Sequence, residues 1–132
     1  MEIASDGLEK NLANCDEVLL IVATAGLEID RLIAKYASLS PVKSLIFHSI
    51  GTERVEALCD AFCKNVETQE RLKLKPRFSP GYGDLSLEHQ KEILQLLNAG
   101  NLIGVCINES LLLSPSKSVT AFAGIENRKE QD

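Results

Sequence analysis

The chain has 132 residues, of which 45% are hydrophobic and 25% charged, an ordinary globular mix large enough for one domain with an aliphatic core. Its formal net charge of -5 and scattered Lys and Arg exclude nucleic acid as the main partner, because phosphate binding needs clustered cations. The longest apolar run, Val18 to Ala25, falls far short of the roughly 20 residues that span a bilayer, so no membrane role is expected.

Met1 to Asp6 holds two acids and no apolar run, unlike a signal peptide. The four cysteines (Cys15, Cys59, Cys63, Cys106) lack metal-ligand spacing and read as reduced, small core residues. The cytoplasm is the expected compartment, and no metal site is expected.

Leu8 to Leu12 reads as a helical turn with Ser5 or Asp6 as cap. Glu17 to Ala25 is nearly continuous and β-branched, the pattern of a strand buried on both faces. Gly26 breaks it. Leu27 to Ser38 carries Ile29, Leu32, Ile33 and Tyr36 at helical spacing. Ser40 can cap a second helix, with Pro41 at its first position, and this helix runs to about Glu70. Its expected apolar stripe comprises Val42, Leu45, Ile46, Val55, Leu58, Cys59 and Phe62. Gly51 would let it cross a neighbour closely, at about 1 kcal/mol of helix propensity.

Leu72 to Arg77 alternates and predicts a strand with one wet face. Phe78 to Asp84 is a turn-rich loop. Ser86 caps a helix over Leu87–Asn98, closed by Gly100. Leu102–Ile107, a short segment at Leu111–Leu113, and Ser118–Ile125 read as strands. Glu126 to Asp132 reads as a polar, frayed tail. Short links between the closing strands require antiparallel pairing. The fold class is therefore α+β: one domain over residues 1–132, with helices packed against a mostly antiparallel, twisted sheet.

The stretch Arg77-Phe78-Ser79-Pro80-Gly81-Tyr82-Gly83-Asp84 holds the chemistry. Gly81 and Gly83 have no Cβ to keep a ligand off the backbone, and both can take positive φ. Pro80 stiffens the turn. Arg77 can grip a carboxylate through two parallel hydrogen bonds. Tyr82 offers a ring and a hydroxyl, suited to a flat or cationic ligand. On spacing alone the plainer reading also stands: a strand-to-helix turn with a surface arginine.

Arg77, Gly81 and Tyr82, with Pro80 before the glycine, reproduce an R-x-x-x-G-Y motif. Ile103-Gly104, Asn108-Glu109-Ser110, Pro115 and Ser118-Val119 follow in the order I-G, T-E-S, P, S-V, with Asn in place of Thr. Val55-Glu56-Ala57 is similar to an A-E-A segment upstream. In these features the chain resembles the activation domain of cobalamin-dependent methionine synthase, from roughly Cys15 to Ile125. The resemblance implies binding of S-adenosylmethionine. Arg77 would hold the methionyl carboxylate, and Ser79, Pro80 and Gly81 would line the ligand. Tyr82 would lie near the sulfonium or over the ligand, and Glu56 would accept from the amino group or another polar part. It further implies a corrinoid partner or methionine synthase modules, cobalamin only through that partner, and a flavodoxin-type electron donor.

The family pattern has a longer N-terminal region, with an acidic contact, and an aromatic contact after the last strand. The chain is therefore expected to be a shortened stand-alone form whose exposed apolar surface could drive homo-oligomerisation. The alternative is a non-catalytic interaction or scaffold protein for a corrinoid protein, with the fold kept and the ligand lost.

Other residues carry less. His48 lacks the Asp of a cobalamin D-x-H-x-x-G motif, since Ile46 stands there, and reads as structural. His89 reads as solvated. Glu53 and Asp60 share a helix face with Glu56 and read as a solvated acidic face. No nucleophile with a paired base and no phosphate loop occurs, so no residue is expected to be catalytic.

Overall fold

The computed structural model describes residues 1–127. The elements run α1 (Asp6–Asn11), β1 (Glu17–Thr24), α2 (Leu27–Leu39), α3 (Pro41–Glu70), α4 (His89–Leu97), α5 (Ala99–Ile103), β2 (Cys106–Ile107), β3 (Leu113–Ser114) and β4 (Ser118–Ile125). This mixture of helices and antiparallel strands is the α+β class read from the sequence.

β1 and β4 pair antiparallel along their whole length, from Glu17 opposite Ile125 to Thr24 opposite Ser118. The expected strand Leu72–Arg77 lies along the other side of β4 but is not a regular strand. Lys75 donates to the Gly124 carbonyl, and Phe78 and Phe122 exchange both backbone hydrogen bonds. The bridges Leu74 to Ile125 and Phe78 to Phe122 enclose one more residue on this segment than on β4. The extra residue is a bulge, and it falls where Pro76 has no N–H to give the ladder.

The sheet has helices on both faces. Odd positions of β1 point to α3: Ile21 packs with Ala121 and Ala123, and Ala23 packs with Val55 and Cys59. Even positions point the other way, where Leu20 and Val22 pack against Leu8, Phe78, Leu85, Ile93 and Phe122. Ile93 is fully buried, a contribution of about 2–3 kcal/mol from such a side chain.

The starts of α1 and α3 follow the sequence signals, whereas α4 begins at His89 with Glu88 before it and no side-chain cap, not at Leu87 after Ser86, and Gly100 falls inside α5. The Ser5 side chain accepts from the Leu8 amide at α1, and Ser40 accepts from Lys43 at α3, with Pro41 in the first turn. Gly26, at φ 85°, turns β1 into α2. A Cβ on Gly51 would stand 2.8 Å from the Ile29 side chain and 2.7 Å from that of Lys117, so its absence lets α3 cross both closely. Farther along the α2–α3 hairpin, Tyr36 stacks on Phe47 at 5.6 Å, and Ser44 donates to the Ile33 carbonyl.

Three expectations are corrected. The stripe on α3 is not buried as a unit: its buried residues are Ser44, Gly51, Val55 and Cys59, while Val42, Leu45, Ile46, Leu58 and Phe62 stay exposed. Small residues mark both contacts of α3: Ser44 and Gly51 where it lies against α2, and Val55 and Cys59 where it meets Ala23 of β1. Leu102–Ile107 is not one strand. Asn98 takes a left-handed conformation that ends α4, α5 follows at once, and Gly104, at φ 69°, ends it before the two-residue β2. β2 pairs only with β3, at Leu113–Ser114, forming a hairpin apart from the main sheet.

The expected frayed tail is anchored at its start, because the Glu126 amide donates to the Lys73 carbonyl at 2.9 Å. Its residues beyond Asn127 lie outside the described residues. Among the described residues, no helix is long and apolar enough to cross a membrane.

Candidate functional site

Arg77 sits between Pro76 of the bulge and Phe78, which is still paired to β4. Alternation sends Phe78 into the core on the α4 side and Arg77 toward α3. There the guanidinium meets two carboxylates one helical turn apart: Glu56 Oε2 at 3.0 Å and Asp60 Oδ1 at 2.8 Å. The Cys63 thiol, a further turn along, lies 4.0 Å from the same group. The Arg77 side chain is 21% exposed, against 53% for Glu56 and 72% for Asp60. Arginine thus forms the floor, and the acids form the rim.

Burial works against the Arg77 charge. Hydrogen bonds to Asp60, Cys63 and Glu56 outweigh it, and the group is held above the ordinary guanidinium range. Burial also raises the Cys59 thiol, with nearby Arg77 acting in the opposite direction. Cys59 is therefore a neutral packing residue. Cys15, Cys59, Cys63 and Cys106 are all free thiols.

These side chains line a cleft of about 330 Å³ formed by Glu56, Asp60, Pro76, Arg77, Ser79, Val119 and Ala121. Of the six residues singled out from the sequence, Glu56, Arg77 and Ser79 share this cleft. Pro80 is buried beside it. Gly81 uses the freedom expected of it, with φ 93°. Its amide donates to the Leu85 carbonyl at 2.7 Å, and a Cβ there would stand 2.7 Å from Leu87 Cδ2. Tyr82 is outside the cleft: its ring packs edge-on against Phe78 at 5.3 Å, and it is 70% exposed.

Asp84 closes the loop onto α1. It accepts from the Ser5 hydroxyl at 2.6 Å, the Asp6 amide at 2.7 Å and the Gly7 amide at 3.2 Å. Those donors, Ser5 foremost, hold its carboxyl below the ordinary 3.8. The loop that follows Arg77 is thereby fixed at both ends.

Asp60 is the residue that sequence reasoning set aside as solvated. The available signal was its i+4 spacing from Glu56, which stacks the two acids on one face of α3. Asn108 has a structural role, since its Oδ1 accepts from the Ser110 and Leu112 amides and folds the β2–β3 turn. His48 is exposed on α3. His89 lies 3.3 Å from Glu92.

No family model and no curated protein matches the chain. Among solved structures, the crystal structure of the MetH reactivation domain bound to AdoHcy superposes with a TM-score of 0.70 over 81% of this chain, at 19% identity. The chain has the fold of the MetH reactivation domain. It spans 38% of the length of that solved chain. Within the reactivation-domain fold, the arginine-floored cleft lies between the middle of α3 and the segment that leaves β4.

The cleft presents both signs of charge. It offers one guanidinium, two carboxylates, the Ser79 hydroxyl and apolar lining from Val119 and Ala121. A zwitterionic ligand satisfies that set: its carboxylate replaces one acid on Arg77, and its ammonium takes the acid released.

Proposed function

We propose that this chain binds S-adenosylmethionine and presents its methyl group for the reductive reactivation of a cobalamin-dependent methionine synthase or a related corrinoid protein. The observation that carries the reading is Arg77, held half-buried between Glu56 and Asp60 at the cleft of this fold. Support also comes from the R-x-x-x-G-Y pattern that ends in Gly81 and Tyr82.

In this reading the guanidinium takes the methionyl carboxylate, and Glu56 or Asp60 takes the amino group. Ser79 offers a further hydrogen bond. Tyr82, exposed on the adjoining loop, meets the ligand only where it projects beyond the cleft. Cobalamin, supplied by a partner protein, accepts the methyl group, and the electron comes from a flavodoxin-type donor. The chain's own residues hold and orient. The rate gain is then one of proximity rather than of acid–base chemistry. The same reading places the protein in the cytoplasm, in methionine biosynthesis, with residues 1–132 acting as one domain.

Calorimetric titration with S-adenosylmethionine tests it. Saturable binding is expected, and Arg77→Ala is expected to weaken it by at least about 1.5 kcal/mol, the loss for a charge-assisted hydrogen bond. The variant should fold, because the two acids it leaves behind are exposed. No binding at millimolar ligand would instead favour a scaffold for a corrinoid protein. Unchanged affinity in the variant would remove Arg77 from the site.

A further inference from the structure

The sheet has a second edge, on the side opposite Arg77. Its order is the 72–78 segment, then β4, then β1, and no described residue pairs with the outer side of β1. The direction of the free groups follows from the ladder. Phe122 exchanges both backbone bonds with Phe78, so its amide and carbonyl point away from β1. Alternation then turns Ala121 and Ala123 toward β1, where they meet Ile21 and Leu19. The N–H and C=O groups of Val18, Leu20, Val22 and Thr24 therefore point outward.

Natural sheet edges are usually blunted by charge, proline or a bulge. From Val18 to Thr24 there is no charge and no proline. The register with β4 is regular throughout, so no bulge interrupts the edge. On either side stand half-exposed apolar side chains: Leu58 and Phe62 of α3 on one face, Leu97 and Ile103 on the other. Together with β1 they form a groove of about 350 Å³ whose lining carries no charged residue.

We infer that this edge is a self-association surface, where β1 of a second copy docks antiparallel about a two-fold axis and continues the sheet. An uncharged groove suits an uncharged strand, and Val18–Ala25 is such a strand. The outward groups are also self-complementary. A register with Leu20 opposite Val22 of the other copy, and Val18 opposite Thr24, joins outward groups to outward groups. It sets Glu17 opposite Ala25, so no like charges meet despite the net charge of -5 on each copy.

The size is adequate. Eight strand residues run about 26 Å, and the sheet with helices on both faces is about 25 Å thick. Each copy then buries roughly 600 Å², about 1,200 Å² in total, the lower bound of a specific interface. The inference is independent of the ligand reading, since the cleft lies across the sheet from this edge.

Sedimentation velocity from about 1 to about 200 μM covers the range in which a small reversible interface fills. A concentration-dependent dimer is expected. Phe62→Glu and, separately, Ile103→Glu should weaken it at least tenfold with unchanged circular dichroism. Leu58→Lys serves if either variant loses helical signal. Hydrogen exchange should slow at the amides of Val18, Leu20, Val22 and Thr24 as concentration rises. A monomer at every concentration would overturn the inference. So would a dimer that survives these substitutions, or protection confined to another surface.

Discussion

The charge balance of the cleft makes a sharper test than affinity alone, and Asp60→Asn is the perturbation that isolates it. Glu56 and Asp60 against Arg77 leave the site with one net negative charge. S-adenosylmethionine carries a sulfonium, an ammonium and a carboxylate, one net positive charge. S-adenosylhomocysteine lacks the sulfonium and is neutral overall. Opposite unit charges about 7 Å apart attract by roughly 0.6 kcal/mol at the permittivity of water, and by about twice that at half the permittivity. The exposure of both acids keeps the value near the lower figure. The wild-type chain should therefore prefer the sulfonium ligand by about two- to fivefold. Asp60→Asn removes the net charge but leaves Arg77 and Glu56 in place. Any release of Arg77 by the substitution acts on both ligands alike, so the ratio of their affinities reports charge alone. Paired calorimetric titrations measure that ratio, which should fall to near one in the variant. In the wild type it should also shrink at about 1 M salt, where the screening length is near 3 Å. A ratio untouched by the substitution, or insensitive to salt, would refute the electrostatic account.

Three further outcomes concern the frame around the cleft. Gly81→Ala should cost about 1–2 kcal/mol in urea unfolding, chiefly from an L-residue at φ 93°; the facing Leu87 arm is exposed and can swing aside, so wild-type stability would show that the loop relaxes. Asp84, whose folded carboxyl lies below 3.8, stabilises the fold above that pH, and its contribution is lost as pH falls through the folded value. Asp84→Asn should melt lower at neutral pH and lose that part of the acid limb, and an unchanged melting profile from pH 2 to pH 7 would count against the α1 anchor. Thr120→Val leaves the buried Gln90 Oε1 without its 3.0 Å donor. About 1–3 kcal/mol is expected from denaturant titration, and no loss would mean that Gln90 finds another partner.

The elements set by local chemistry were legible. The bounds of α3, Pro41–Glu70, coincide with the Ser40-Pro41 start signal and the end of the helical pattern. β1 reads directly as a nearly continuous β-branched run and β4 as an alternating one. The misreadings have two sources, local backbone turns and contacts distant in sequence. Leu102–Ile107 has strand composition, but its first residues complete a helical turn because left-handed Asn98 and Gly104 bracket α5. Hydrophobicity points to the larger side chains of α3, whereas α2 takes Ser44 and Gly51 and the sheet takes Val55 and Cys59. Periodicity finds a helix without deciding which face the tertiary neighbours leave room for.

The site divides in the same way. Arg77, Ser79 and Gly81 are legible because a strand end, a proline and two glycines in eight residues mark a place where backbone is exposed to a ligand. Asp60 is not, since an acid on a long helix is indistinguishable from a solvated one until its neighbour across space is known. That neighbour is fixed by the bulge at Pro76, because one extra residue before Phe78 is what turns Arg77 onto α3 while Phe78 keeps its pairing with Phe122. The same small-residue packing that brings α3 down onto the sheet leaves Glu56 and Asp60 within reach of the guanidinium. The exposure of Leu58 and Phe62 follows from it as well, because a helix held close to the sheet by Val55 and Cys59 has no room beneath it for larger side chains, which emerge beside β1 instead.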